Sequence, residues 1–323
     1  MNTHWSRREF LQNSSAAAGA MGLREWPALA EPSASGTFRG AICFFSKPVP
    51  QLSWRELAQN AKAAGFDGVD LTVRPEGHVL PERVETDLPK AVEAIRAQGL
   101  AVPMITTALL SADDPVAEPT MRAASRLSIP YLKPGYYHWR FVNVMAELEE
   151  AGKNLRSLVD LAGRYGIQVG YHNHNGYIGA AIWDMARVIE PMDPARCGFY
   201  FDLGHATVDG GTNGWKVDTN LVLPRLKMIG AKDFQWVKAG PQEWRPEACP
   251  MGQGMAPWKE FLQILAKSDF HGPISLQQEF TIAGAADNQG IAISRAAVPR
   301  VMESAKENLD YLRSLIRESY QAA

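Results

Sequence analysis

The chain repeats one structural unit, in which a helical stretch ends at a glycine or polar turn and a short apolar strand follows. Residues 53–64 are predicted to form a helix that opens with a capping box of Ser53 and Glu56, and Gly65 ends it before the strand at 68–73. Helices are likewise predicted at 88–98, 142–165, 257–267 and 298–316, and the predicted strands are 38–44, 68–73, 101–106, 131–133, 167–171, 197–201, 227–231 and 273–276. Short apolar strands that alternate with helices predict a parallel sheet. Eight such units in this length predict an α/β fold with a single (β/α)8 TIM barrel, a parallel eight-stranded barrel ringed by helices.

Polar clusters stand where two neighbouring strands of this barrel end. Tyr-His-Asn-His at 171–174 closes strand five, and Asp-Leu-Gly-His at 202–205 follows strand six. Strand alternation places His172 and His174 on one face. Two imidazoles, with the Asp202 carboxylate and the His205 imidazole on the next strand, suit a divalent metal. The alternative interpretation is a pair of buried strand ends with hydrogen-bonded histidines.

The first thirty residues predict where the protein works. Arg7 and Arg8 in Ser-Arg-Arg-Glu-Phe-Leu form a twin-arginine export motif, followed by a mildly apolar stretch at 16–23 and a small-x-small cleavage site at 28–30. We therefore expect a signal peptide at 1–30 and a barrel domain at 31–323. The twin-arginine translocase is the expected partner during export, and the mature protein is expected in the periplasm or secreted, with no membrane association after processing.

Composition excludes some classes of partner. The formal net charge is only −2, so no basic excess exists to bind a polyphosphate backbone, and nucleic acid is not an expected partner. Three scattered cysteines are too few for a disulfide framework. The sequence leaves the oligomeric state open, with a homo-oligomer among the options.

The motifs resemble those of the xylose isomerase-like barrels, a family that includes sugar isomerases and epimerases, inosose dehydratases and endonuclease IV relatives. The resemblance covers about residues 38–316, and its specific pieces are the clusters at 171–174 and 202–205, Lys-Asp at 232–233, Gly-Gln-Gly at 252–254, and Glu279. The family usually binds one divalent ion through Glu on strand five, Asp on strand six, His on strand seven and Glu on strand eight. With the twin-arginine motif, the resemblance is to the exported branch of the family.

The resemblance implies a metal site with departures from the family pattern. Asp202 and Glu279 match the family's ligands, His172 replaces the strand-five Glu, and the strand-seven His is missing because Gly230 and Ala231 stand there. The predicted ligands are thus His172, Asp202 and Glu279, with His205 or water completing the shell. One divalent ion is expected, with Mn, Zn, Co and Fe all compatible with imidazole and carboxylate ligands.

The resemblance also implies chemistry on a sugar. We expect an isomerase or epimerase that acts on an unphosphorylated sugar or keto-sugar through a metal-stabilised enediolate. The candidate catalytic residues are Glu279, His174 and Lys232, and the candidate substrate-binding residues are His174, Lys133, Tyr137, Trp139, Trp236 and Gln277. Two alternatives stay open: a lyase or hydrolase that cleaves 3-keto-glycosides by elimination, and a non-catalytic barrel that binds a carbohydrate.

Overall fold

A computed structural model describes residues 36–282, Ala285 and residues 293–323. The predicted signal peptide at 1–30 lies outside the described residues, so export stays a prediction. Within the described part of the chain, no helix combines the length and the apolarity that crossing a bilayer requires.

Eight parallel strands close into a barrel, which confirms the predicted fold. Each pairs with its neighbour in chain order, and the last pairs with the first. The barrel strands are β1 (Ile42–Phe45), β2 (Gly68–Val73), β3 (Ala101–Thr107), β4 (Tyr131–Lys133), β5 (Gln168–His172), β6 (Cys197–Asp202), β7 (Leu226–Ala231) and β10 (Ile274–Leu276). An antiparallel hairpin of β8 (Asp233–Lys238) and β9 (Trp244–Cys249) is inserted after β7, and the sequence patterns did not predict it.

Helices follow the strands as the repeating unit predicts. They are α1 (Trp54–Ala64), α2 (Val84–Arg96), α3 (Ala117–Arg126), α4 (Val144–Arg164), α5 (Trp183–Ile189), α6 (Leu203–Val222), α7 (Trp258–Lys267) and α8 (Val298–Gln321). The capping box is confirmed, because the Ser53 side chain accepts from the Glu56 amide and the Glu56 carboxylate accepts from the Ser53 amide. Gly65 ends α1 in the left-handed conformation, with φ of 96°, where a β-carbon would be strained.

Three predicted boundaries differ from the structure by four residues or more. The first strand was placed at 38–44, but β1 starts at Ile42, because its pairing partner β10 begins at Ile274, directly opposite. The second helix was placed at 88–98, but α2 starts at Val84, because its buried apolar face already begins there. The last helix was placed at 298–316, but α8 continues to Gln321, because Ser319 and Tyr320 are still buried.

A polar network lies inside the barrel beneath the strand ends. Asp70 on β2 accepts hydrogen bonds from Ser275 at 2.7 Å, from Thr106 at 2.9 Å and from the Tyr200 hydroxyl at 3.3 Å. Burial raises the pKa of Asp70 to about 6, although these three hydrogen bonds oppose the shift. Gln277, just after β10, donates to the Tyr200 hydroxyl at 2.8 Å, so the network reaches the barrel mouth.

Candidate active site at the barrel mouth

The candidate site lies where β5, β6, β7 and β10 end. His172 is the last residue of β5, Asp202 is the last residue of β6, and Lys232 directly follows β7. Parallel pairing aligns His172 with Tyr200 and Asp202 with Gly230, which brings these strand ends to one level. The barrel therefore brings the predicted residues of strands five to eight together at the C-terminal ends of the strands, where the active sites of this fold lie.

One side of the mouth carries charge. The Lys232 ammonium lies 2.9 Å from Glu279 Oε2 and 3.3 Å from Asp202 Oδ2, and it donates to Gln277 Oε1 at 3.2 Å. A second lysine, Lys47, forms an ion pair with the other oxygen of Glu279. We refer to Lys47, Asp202, Lys232 and Glu279 as the charged cluster.

Ion pairing keeps Lys232 and Glu279 charged although burial disfavours the charged form of both. Burial alone would lower the pKa of Lys232, but the carboxylates of Asp202 and Glu279 outweigh it and raise that pKa above its ordinary value. Burial would likewise raise the pKa of Glu279, but Lys232 and Lys47 hold it well below its usual range. The site thus keeps an ammonium and a carboxylate in contact at neutral pH.

The other side of the mouth carries neutral imidazoles. The His174 and His205 rings lie 3.9 Å apart between centroids, and the His172 ring lies about 6 Å from both. Burial, followed by the Lys232 charge, lowers the pKa of all three, to about 4 for His174 and well below the ordinary value for His172 and His205. We refer to these three residues as the imidazole cluster.

Hydrogen bonds define the orientation of two of these rings. His172 Nδ1 lies 2.8 Å from the Tyr136 hydroxyl, and its Nε2 lies 3.4 Å from Asp202 Oδ2. In the neutral tautomer with the proton on Nε2, His172 donates to Asp202 and accepts from Tyr136. His174 Nδ1 lies 2.9 Å from the carbonyl oxygen of Asn175 and must donate to it, so His174 Nε2 carries the lone pair.

Backbone contacts explain the other residues of the two polar clusters. Asn173 donates its side-chain amide to the Asp202 carbonyl at 2.9 Å and accepts from the Asp202 amide at 2.7 Å. Asp202 also caps α6, because its Oδ1 accepts from the His205 amide at 2.9 Å. Asn173 therefore fixes β5 to β6, and the cap fixes the turn that carries His205.

Asp233 and the Gly-Gln-Gly segment form a support beneath Lys232. The Asp233 carboxylate accepts from four backbone amides, those of Phe234, Gly252, Gly254 and Ala256. A β-carbon at Gly254 would lie 2.1 Å from Asp233 Oδ1, so only glycine fits there. Trp258 completes the support by donating its indole N–H to the Lys232 carbonyl at 3.2 Å.

The described residues do not fit the predicted metal centre. No group of three or more histidine, cysteine, aspartate or glutamate side chains in residues 36–282, 285 and 293–323 is arranged to bind an ion. His172 Nε2 and Asp202 Oδ2 are spaced as two ligands of one ion could be, but the Lys232 ammonium already contacts Asp202 and Glu279. No ligand comes from β7, where Gly230 faces these atoms.

A cavity of about 380 Å³ opens over both clusters and includes Lys47, His174, His205, Lys232 and Glu279 in its walls. A larger hollow of about 540 Å³ lies on the outer surface beside α4 and α5, away from these residues. The smaller cavity is the candidate substrate site because it alone of the two contains the paired ionisable groups.

The predicted substrate-binding residues separate into two groups. Gln277 lies in the site, and Lys133 is buried with its ammonium 3.4 Å from the centroid of the Tyr136 ring. Tyr137 is instead buried in the wall, where its hydroxyl donates to the Leu110 carbonyl, and Trp139 packs against the hydrophobic core. Trp236 lies on the β8–β9 hairpin with 39% of its surface exposed.

Sequence reasoning missed Lys47 and the contact between Tyr136 and His172. Lys47 lies two residues beyond β1, so the rule that functional residues follow strand ends could have identified it. The bond between Tyr136 and His172 joins two different strand ends, and sequence spacing carries no signal for such a pair.

The family comparison gives a direct result. Residues 58–314 match the family described as the xylose isomerase-like TIM barrel. The chain belongs to this family. Among curated proteins, an uncharacterised protein of Methanocaldococcus jannaschii is 24% identical over 150 residues, which are 45% of this chain and 49% of that relative. The matched region thus spans only about half of the relative's length.

Solved structures share the fold over most of their length. An L-ribulose 3-epimerase has a TM-score of 0.65 at 12% identity, over 88% of this chain and 97% of its own. A 3-keto-D-glucoside 4-epimerase from E. coli has a TM-score of 0.62 at 15% identity, over 85% and 100%. A xylose isomerase-like barrel from Mycobacterium smegmatis, solved with magnesium, has a TM-score of 0.62 at 17% identity, over 87% and 98%.

Proposed function

We propose that this chain is a sugar isomerase or epimerase-type enzyme that acts on an unphosphorylated sugar or keto-sugar. One observation carries the proposal: a single cavity combines a lysine ammonium, paired with two carboxylates, and neutral imidazoles. Family membership supports it, as do structural neighbours that include epimerases of sugars and of a keto-glucoside. Enolisation next to a carbonyl needs a donor to polarise the carbonyl oxygen and an acceptor for the carbon-bound proton.

Lys232 is the candidate donor. Its ammonium is held charged by Asp202 and Glu279 and lies in the cavity wall. A substrate carbonyl oxygen that accepts one of its N–H groups, in place of one of the protein acceptors, would leave its carbonyl carbon more electrophilic and the adjacent C–H more acidic. The charge of the enediolate would then form beside an existing cation. Such a preorganised charge needs no rearrangement when the transition state forms.

His174 and Glu279 are the candidate proton acceptors. His174 Nε2 carries a lone pair because Nδ1 donates to Asn175, and the lowered pKa keeps the ring neutral. Glu279 is ionised but is paired with two lysines, so it accepts a proton only when substrate weakens those pairs. His205 Nε2 is buried and has no hydrogen-bond partner among the described residues, which suits a bond to a sugar hydroxyl.

The direction of the reaction follows from where the proton returns. Return to the neighbouring carbon gives an isomer, return to the same carbon from the opposite face gives an epimer, and loss of a β-substituent gives an alkene. Of the family's two glutamates only Glu279 is kept, and His172 is held by Tyr136 and Asp202. A single carboxylate favours isomerisation or elimination over symmetric epimerisation.

The cavity chemistry favours an unphosphorylated substrate. Both lysines in its walls are paired with carboxylates, and none of the described wall residues is an arginine. A phosphate dianion would have to displace those pairs, since the usual bidentate arginine partner is missing from these walls. A neutral sugar hydroxyl can bind without displacing these ion pairs.

Two finer parts of the sequence interpretation stay predictions. The first is the divalent ion, Mn, Zn, Co or Fe, expected at His172, Asp202, Glu279 and His205. The similar barrel from Mycobacterium smegmatis was solved with magnesium, but the side chains of the described residues are not arranged to bind a metal ion. The second is export to the periplasm or beyond through Arg7 and Arg8. Replacing both arginines by lysine should trap the precursor with its leader attached, and normal processing of that variant would contradict export by this route.

Solvent-proton exchange tests the proposed function. The purified protein should be incubated in D2O with unphosphorylated ketoses, aldoses and 3-keto-glucosides, and carbon-bound deuterium followed by NMR. We expect incorporation next to the carbonyl, lost in Glu279→Gln and retained in Glu93→Gln, which changes an exposed glutamate of α2. Substrate binding without any exchange across the panel would indicate the non-catalytic barrel instead.

The same experiment distinguishes the lyase. Its supporting observation is the single retained carboxylate, together with a fold neighbour that acts on a 3-keto-D-glucoside. Release of the aglycone from a 3-keto-glucoside, at a rate equal to loss of the carbon-bound proton, would assign elimination. Exchange without release would assign isomerase or epimerase chemistry.

A further inference from the structure

The position of Lys232 relative to the strand ends leads beyond the proposed function. Gly230 and Lys232 lie on the same face of the chain leaving β7, because alternate residues of an extended strand share a face. A β-carbon at position 230 would lie 3.0 Å from Asp202 Oδ2 and 3.3 Å from His172 Nε2. A side chain at that position would therefore enter the space between the predicted ligands, and in this chain it is absent.

The longer side chain of Lys232 reaches the same group of atoms. Its ammonium has three N–H donors, and three oxygen acceptors surround it: Glu279 Oε2 at 2.9 Å, Gln277 Oε1 at 3.2 Å and Asp202 Oδ2 at 3.3 Å. Gln277 is itself fixed by the Tyr200 hydroxyl. The acceptors thus match a protonated amine in number, and each is positioned by the barrel.

The formal charges of the charged cluster sum to zero without a metal ion. Asp202 and Glu279 contribute two negative charges, and Lys47 and Lys232 contribute two positive charges. A divalent ion bound to Asp202 would lie directly beside the Lys232 ammonium and would add two positive charges to a cluster that is already balanced.

The backbone holds Lys232 in place from both sides. Its carbonyl accepts from Trp258, and the next residue, Asp233, accepts from four backbone amides. Its side chain is only 8% exposed, so it has little room to turn away and free the carboxylates for an ion.

We propose that the Lys232 ammonium is the resident cation of this site and occupies the position between Asp202 and Glu279 in place of a divalent metal. The proposal deepens the proposed function, since it names the group that faces a substrate carbonyl. In such a site the Lys232 ammonium, and not a metal ion, polarises the substrate carbonyl, and Lys47 is a second cation paired with Glu279. Its test needs no substrate, so it can fail independently of the sugar chemistry.

Manganese binding tests the proposal. The full purified chain should be treated with chelator, dialysed and titrated with Mn²⁺, and free Mn²⁺ should be followed by electron paramagnetic resonance. We expect the wild type to bind no stoichiometric Mn²⁺ at tens of micromolar. Lys232→Ala should bind at least tenfold more tightly, because it vacates the position between the carboxylates, and Lys227→Ala, on the same strand, should behave as wild type.

Further variants make the result decisive. Adding Asp202→Asn to Lys232→Ala should remove the gained binding, and Lys232→Ser, which vacates the position but keeps a polar side chain, serves if the alanine variant is poorly folded by circular dichroism. A wild type that holds one equivalent of Mn²⁺, lost in Asp202→Asn, would overturn the proposal. So would a folded Lys232→Ala or Lys232→Ser variant that binds Mn²⁺ no better than wild type.

Discussion

Buried polar groups are stabilised differently on the two sides of the barrel mouth. On the β7 and β10 side, Lys232 and Glu279 stay charged because each is paired, and the pKa of each is displaced towards its charged form. On the β5 and β6 side, the three imidazoles stay neutral because burial lowers their pKa values. Burial of a charge requires a partner, whereas a neutral imidazole requires only its hydrogen bonds.

This difference assigns different chemical tasks to the two sides. The charged cluster supplies a fixed positive charge for a developing oxyanion, and the imidazole cluster supplies ring nitrogens that accept or share protons. Tyr136 and Asn173 support the imidazole side, while Gln277 and Asp233 support the charged side. The variants below change one of these two sides, or the Asp70 network beneath them, and run from the largest expected effect to the smallest.

Lys232→Met should have the largest effect. It leaves Asp202 and Glu279 buried without their shared cation, and removal of one partner of a buried pair costs about 3–5 kcal/mol. Urea unfolding should show that loss at pH 7, and deuterium exchange into substrate should fall to background. Lys227→Met is the matched control; equal destabilisation by both would show that the pairing is not what matters.

Asp70→Asn should change how stability depends on pH. The folded-state pKa of Asp70 is about 6, above its ordinary value of 3.8, because the carboxyl is buried. The folded state therefore binds this proton more tightly, and the stability it contributes is present below pH 4 and lost as pH rises through about 6. A shift of this size corresponds to about 3 kcal/mol.

Urea unfolding at half-unit steps from pH 4 to pH 7 checks this. The stability of Asp70→Asn relative to wild type should rise with pH over that window. Asp160→Asn, which changes an exposed carboxylate of α4, should show no such trend. A flat difference for Asp70→Asn would mean that this carboxyl titrates normally in the folded protein.

Tyr136→Phe should affect catalysis more than stability. It removes the bond to His172 Nδ1, so the ring loses the contact that fixes its orientation and tautomer. We expect kcat to fall about 10-fold or more with KM little changed, and a stability loss of about 1 kcal/mol. Tyr131→Phe is the control, because no hydrogen bond of its hydroxyl is found within the described residues; a kcat equal to wild type in Tyr136→Phe would contradict this role.

Lys47→Gln should have the smallest effect. Lys47 is partly exposed and shares Glu279 with Lys232, so one cation remains on the carboxylate. We expect a change in kcat/KM of about threefold and a stability change below about 1 kcal/mol. A loss as large as that of Lys232→Met would mean that the two lysines contribute equally.

Local sequence patterns predicted the fold because each helix–strand unit carries its own boundary signals, such as the Ser53 capping box and Gly65. The rule that functional residues follow the strand ends of a barrel predicted that His172, Asp202, Lys232 and Glu279 lie together. What they could not predict was which atoms meet. The pair between Lys47 and Glu279 joins residues 232 positions apart, and the bond between Tyr136 and His172 joins the loop after β4 to the end of β5. The β8–β9 hairpin was missed because most residues of both strands are exposed or half-buried, polar and apolar alike, so neither strand shows the short buried apolar run that marks the barrel strands.

The central claim is that a lysine ammonium, and not a divalent ion, holds the position between Asp202 and Glu279. Crystals grown with millimolar Mn²⁺, measured at the manganese absorption edge, test it directly. We expect no anomalous peak between the two carboxylates, with Lys232 Nζ within hydrogen-bond distance of both. An anomalous peak about 2.2 Å from Asp202 Oδ2, with Lys232 turned away from Glu279, would contradict it.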